Sequence, residues 1–258
     1  MFKEEFTAAA NGASAKSRLL KNNPAGYFLL SALAGMYIGF GVLLVFTLSG
    51  ALAGSPATKL VMGCCFGVAL SLVVIAGAEL FTGNNMVMFA GFLRKTVSSG
   101  DVIILWIVCW AGNLLGSALL AVLFYGTGLY SGATLDAMTT AAAVKMTAGF
   151  IPLLTRGILC NTLVCLAVWC GFRCKSEAGK LIMIFWCLLA FFATGFEHSI
   201  ANMTLLTLGI LDNGGNEMIT MGGYWFNLLT VTLGNMIGGI LLVAIPYFTA
   251  QIDRTRTK

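Results

Sequence analysis

The chain has 258 residues, of which 59% are hydrophobic and 10% charged, with a mean hydropathy of +0.91. Soluble domains carry about 25% charged residues, so this composition excludes an ordinary water-soluble fold. The net charge of +5 arises from basic residues gathered at the ends of apolar segments and gives no reason to invoke nucleic acid as a partner.

Residues 1–24 are polar and lack the apolar run of a secretory signal, so the first hydrophobic segment is expected to be a retained span. Crossing the hydrocarbon as a helix takes about 20 apolar residues. Six windows meet that length, at about 27–48, 60–93, 102–125, 153–172, 181–210 and 224–247. They are continuous rather than alternating, which argues against a transmembrane β-barrel. Windows two and five, at about 30 residues, are too long for one straight crossing. Each carries a polar, glycine-bearing interruption: GAELFTGNNM (77–86) in the second and GFEHSIANM (195–203) in the fifth.

The chain repeats itself. WAGNLLGSALL (110–120) in span three matches TLGNMIGGILL (232–242) in span six, so Gly112-Asn113 align with Gly234-Asn235. The Gly-x-Glu…Asn-Met runs of spans two and five also match, with inserts that differ by one residue in this alignment. Three spans per half invert the second half relative to the first. That is the architecture in which discontinuous helices build a site at the midplane. The repeats run over about 27–125 and 138–247. Gly112/Gly116 and Gly234/Gly238 have the small-xxx-small spacing of close helix packing in lipid.

Twelve of the fifteen basic residues fall on one side: Lys3, Lys16, Arg18 and Lys21, then Arg94 and Lys95, then Arg173, Lys175 and Lys180, then Arg254, Arg256 and Lys258. Only Lys59, Lys145 and Arg156 fall on the other. The positive-inside rule then places both termini in the cytoplasm.

His198 is the sole histidine and lies deep in span five. Ionisable residues at that depth usually face a cavity and carry function, and imidazole titrates near neutrality. Glu79 and Glu197 hold matching places in the repeat. They are expected to accept hydrogen bonds from backbone N–H groups freed at the breaks, with a proton relay as the sharper alternative. Thr82, in the first interruption, should lie opposite His198. Asn161 reads as either a pore residue or a helix–helix bond. Lys145, in TTAAAVKMTAGF, reads as either a snorkelling anchor or an anion attractor. The eight cysteines contain no CxxC pair and read as packing residues. No metal site or cofactor is expected.

Taken together, AELFTGNNM, LCNTLV and GFEHSIANMT resemble the formate/nitrite transporter family across essentially the whole chain, nearest its nitrite and hydrosulfide branch and its bacterial hydrosulfide channels. The resemblance implies one channel domain over 1–258: all-α, six transmembrane helices in an aquaporin-like inverted repeat, helices two and five broken. It implies a homopentamer with one pore per protomer, embedded in the lipid of a bacterial inner membrane. The expected substrates are small monovalent anions of weak acids (hydrosulfide, nitrite, formate), with protonation of the anion in the pore and protons as partners. The family's pore histidine falls on His198, its loop threonine on Thr82, its vestibule lysine on Lys145, its pore asparagine on Asn161 and its acidic neighbour on Glu197. Its apolar constrictions fall on Phe66, Leu70, Leu80, Phe81, Val164 and Phe191.

Two other classes compete. A membrane redox enzyme is disfavoured because one histidine cannot supply bis-histidine haem ligation within the chain. A neutral-solute aquaporin-like channel should carry paired NPA motifs, which the sequence lacks.

Overall fold

The computed structural model describes residues 2–252. Arg254, Arg256 and Lys258, assigned above to the cytoplasmic side, lie outside the described residues. Among those described there are helices and no strand. In order they are α1 (Lys3–Asn22), α2 (Pro24–Ala51), α3 (Thr58–Leu72), α4 (Phe81–Leu93), α5 (Ser99–Gly126), α6 (Gly132–Thr147), α7 (Phe150–Arg173), α8 (Glu177–Thr194), α9 (Ser199–Leu211), α10 (Met221–Gly239) and α11 (Ile245–Ala250). A π-helical turn, Val73–Gly77, extends α3, and a second, Ile240–Ala244, joins α10 to α11.

Six of these helical segments are long and apolar enough to cross a membrane: Pro24–Ala51, Thr58–Gly77, Ser99–Gly126, Phe150–Arg173, Glu177–Thr194 and Met221–Ala250. Spans two and five therefore differ from the sequence reading in one respect. Neither is a single overlong crossing with a gap in its middle. Each is a full-length helix followed by a separate helix of 13 residues, about 20 Å long at 1.5 Å per residue. The polar run FTGNN is not the break; it forms the opening turns of α4. The breaks are the short extended stretches before Phe81 and before Ser199. Gly77 (φ 82°) and Gly195 (φ 79°) begin them, in the left-handed region where a side chain would be strained.

Two helices escape a hydropathy reading. α1 buries Phe6, Ala9, Ala10, Ala13 and Ser17, spaced as one face of a helix, and leaves polar residues outside. α6 likewise packs Met138, Thr139, Ala142, Ala143 and Met146 inward. Each precedes the first full span of its half, so the order short helix, two spans, half-helix, third span occurs twice. The helix starts carry their own signals. Asn23 caps α2 with Pro24 behind it, and Ser98 with Asp101 closes a capping box on α5.

The glycines of the repeated motif let the long helices touch. Gly116 packs on the Ala32 carbonyl, Gly112 on Ser31, Gly234 on the Leu154 carbonyl and Gly238 on the Ile158 carbonyl. Gly116→Ala would drive a Cβ into the Ala32 carbonyl. The pair α2–α5 must then separate, at an overpacking cost of about 1–3 kcal/mol. Thermal unfolding in detergent should show that loss for Gly116→Ala and none for Gly126→Ala, whose Cβ would meet open space. Equal stability of the two variants would remove close helix approach as the role of Gly116.

Candidate functional site

The breaks are held by the asparagines of the repeated motif. Asn113 accepts from the Phe81 N–H at 2.9 Å and donates to the carbonyls of Ser31 (2.7 Å) and Glu79 (2.9 Å). Asn235 accepts from the Ser199 N–H at 2.9 Å and donates to the carbonyls of Gly157 (2.8 Å) and Glu197 (3.0 Å). Each carboxamide therefore satisfies one N–H and one C=O group that the break leaves without helical partners, and its second N–H ties the break to a carbonyl of the neighbouring continuous helix. The Glu79 N–H donates to the Leu30 carbonyl at 3.2 Å and the Glu197 N–H to the Arg156 carbonyl at 3.3 Å.

These contacts fix the register of the repeat. Glu79 matches Glu197, Leu80 matches His198, and Phe81 matches Ser199. Asn84 donates to Glu79 at 2.9 Å as Asn202 donates to Glu197 at 2.7 Å. The one-residue difference in the sequence alignment disappears, because Asn84 rather than Asn85 is the partner of Asn202.

The expectation for the two carboxylates is corrected. Neither Glu79 nor Glu197 accepts from the freed backbone; the asparagines do that. Instead Glu79 binds Lys16 of α1 at 2.6 and 2.7 Å, and also Tyr27 and Asn84. Glu197 binds Lys145 of α6 at 2.7 Å, and also Asn202. Lys145 is thus neither a free anchor nor a bare charge. Lys16 is its counterpart in the first half, and the sequence reading missed it.

His198 stands at the N-cap of α9. Its Nδ1 accepts the Ala201 N–H at 3.1 Å, and its Nε2 lies 3.1 Å from Thr82 Oγ1 on the opposed half-helix. A nitrogen that accepts carries no proton, so the neutral ring holds its hydrogen on Nε2 and donates to Thr82. Phe191 lies nearly parallel to the imidazole, ring centroids 6.0 Å apart, and meets Phe66 edge-on at 5.7 Å. Both Thr82 and His198 are buried.

Two cavities approach this pair. One of about 840 Å³ is lined by Phe66, Phe191, His198, Glu197 and Lys145. The other, of about 430 Å³, is lined by Leu70, Leu80, Glu79 and Lys16. Their walls correspond across the repeat: Val42 and Phe46 of α2 in the larger, Val168 and Phe172 of α7 in the smaller. Phe81, Val164 and Asn161 line neither of these cavities, although all three are buried. Asn161 donates to the carbonyls of Thr82 (3.2 Å) and Asn235 (2.7 Å) and to Asn85 Oδ1 (3.1 Å), tying α7 to the start of α4 and to α10. The described residues hold no cluster of three or more metal-ligating side chains.

Asn235→Leu would strand the Ser199 N–H and the Glu197 carbonyl and cut the tie to the Gly157 carbonyl. At roughly 1–3 kcal/mol for each buried unpaired group, the loss should be about 2–6 kcal/mol and dissociate or unfold the protein in detergent. A variant within about 1 kcal/mol of the parent would show that the α9 break is held without this residue.

The profile of the formate/nitrite transporter family matches residues 3–249. The nitrite transporter NirC of Escherichia coli (strain K12) is 43% identical over 99% of this chain and 95% of its own length. A solved structure described as an FNT family ion channel superposes with a TM-score of 0.91 at 40% identity, covering 96% of this chain and 99% of that one. A pentameric formate channel with formate bound superposes with a TM-score of 0.80 at 27% identity, covering 90% and 99%.

Proposed function

The chain belongs to the formate/nitrite transporter family, a multi-pass membrane family of transporters and channels rather than of enzymes, and from that premise we propose a channel that carries weak-acid anions across a dry partition by protonating them there. Nitrite, formate and hydrosulfide are the proposed permeants. The proposed assembly is a homopentamer with one pore per protomer, in a bacterial inner membrane with both termini cytoplasmic. In that orientation the larger cavity faces outward and the smaller inward.

The observation that carries this reading is the Thr82–His198 hydrogen bond at 3.1 Å between the two cavities. On one side stand Phe66 and Phe191, on the other Leu70 and Leu80. A bare anion entering either ring loses its water with nothing to replace it. Losing water raises the anion's basicity, so proton uptake becomes favourable where the charge is least tolerated.

The geometry of His198 suits that transfer. The Nε2 hydrogen points to the place where an anion displacing Thr82, or bridging to it, would sit. When Nε2–H passes to the anion, Nδ1 takes a proton from water in the outer cavity, and the hydroxide left there is neutralised by a proton from the outer solution. The ring stays neutral and the permeant becomes a neutral acid. A proton on Nδ1 breaks the bond from the Ala201 N–H; release of that proton to water and uptake of one at Nε2, also from water, restore the bond and the resting tautomer. The neutral acid passes Leu80 and releases its proton to water in the inner cavity. Lys145 and Lys16, each bound to a glutamate, serve as half-neutralised cations that hold an anion at each mouth.

Proteoliposome flux with these three anions at several pH values tests the reading. His198→Asn keeps a polar side chain at the helix start but cannot relay a proton. It should lose most weak-acid flux and flatten its pH profile while staying assembled. Unchanged flux with the parent's pH profile in a folded His198→Asn protein would refute the proton role.

A further inference from the structure

The two mouths are built on one plan but differ at a single matched position. Leu30 accepts the Glu79 N–H and lines the inner cavity; Arg156 accepts the Glu197 N–H and lines the outer one. The neighbours confirm the register, since Asn113 donates to Ser31 and Asn235 to Gly157. The same backbone site therefore presents an isobutyl group inward and a guanidinium outward.

The surrounding charges sharpen the difference. In the inner cavity Lys16 and Glu79 are the charged lining residues, and they are paired at 2.6 Å. The outer cavity holds the pair Lys145–Glu197 and three more charged residues, Lys59, Arg156 and Asp136. Among the described residues none of those three makes an ion pair, and the Arg156 side chain makes no hydrogen bond. All three are exposed. The outer mouth thus carries a surplus cation whose donors are unspent, one backbone hydrogen bond from the loop that bears His198.

We infer that Arg156 is the outer receptor for the permeant and favours anions with two oxygens over hydrosulfide. A guanidinium presents two parallel N–H groups that fit both oxygens of a planar anion such as nitrite or formate. Hydrosulfide has one acceptor atom and gains only the charge. A lysine at the same place would supply the charge without the fork. Lys59 shares the cavity and adds attraction for any anion, while Asp136 opposes it; neither distinguishes one anion shape from another.

This rests on the channel reading above, and its test separates the two. Flux into proteoliposomes is measured against concentration for nitrite, formate and hydrosulfide with the parent, Arg156→Lys and Arg156→Leu, the last installing the inner mouth's side chain. Arg156→Lys should raise the half-saturating concentration for nitrite and formate about two- to five-fold, the scale of an exposed charged contact, and leave that for hydrosulfide and all maximal rates unchanged. Arg156→Leu should raise all three, nitrite and formate most. Equal half-saturation for parent and Arg156→Lys with every anion, or an equal shift with all three, overturns the inference while the channel reading stands. A folded parent that conducts none of the three defeats the channel reading and this inference with it. If Arg156→Leu fails to assemble, the lysine variant alone decides.

Discussion

A helix that stops partway through hydrocarbon exposes backbone groups to a medium that offers them nothing. This chain starts two half-helices, α4 and α9, inside its buried core, and the rest of the site depends on how those starts are held. One asparagine serves each break, bonding an N–H at the start of the half-helix, a carbonyl in the break and a carbonyl on the neighbouring helix. The asparagines reach the breaks only because α5 lies against α2, and α10 against α7, at glycine-to-carbonyl distance. Gly-Asn-x-x-Gly is therefore one device, in which the glycines bring the backbones together and the asparagine spends that closeness on the orphaned groups.

With the frame fixed twice over, the differences between matched positions carry the chemistry. Leu80 leaves the start of α4 without a side-chain cap, while His198 caps α9. Gly35 packs on the Asn113 carbonyl, whereas Asn161 donates to the Asn235 carbonyl. Leu30 faces the inner cavity and Arg156 the outer. The lysine–glutamate pair is the feature that both halves keep. A partly buried pair contributes little net stability and is costly to break by halves, so its retention on both sides fits a role in the permeation path better than one in holding the fold.

Hydropathy and charge made the six spans legible, because lipid imposes length and apolarity directly on sequence. The breaks were legible as polar residues at depth, and the opposition of Thr82 and His198 followed from the repeat. What stayed hidden depended on partners distant in sequence. Glu79 meets Lys16 across 63 residues and Glu197 meets Lys145 across 52. Both lysines ride on α1 and α6, helices too short or too polar for a search for apolar windows to find. Without those helices the carboxylates had no visible cation, and the freed backbone seemed their natural partner. The repeat register slipped by one residue for a related reason: Asn84 and Asn85 are adjacent, and only the contact to Glu79 shows which one matches Asn202.

The choice of histidine at the second break follows from two demands made on one side chain. Usual N-cap residues have a short oxygen that accepts from the helix start. Such a side chain spends its reach on the cap and has no second group left to cross to the opposite half-helix. A lysine or arginine would reach across but has no acceptor for the Ala201 N–H. Glutamine has both functions but cannot move a proton between them. Imidazole accepts at Nδ1, donates at Nε2 and exchanges those roles through a conjugated ring. The hydrogen bond that starts α9 thereby sets which face of the ring carries the proton. One residue thus both caps the start of α9 and reaches Thr82 across to the opposite half-helix, whereas Leu80 at the matching position does neither.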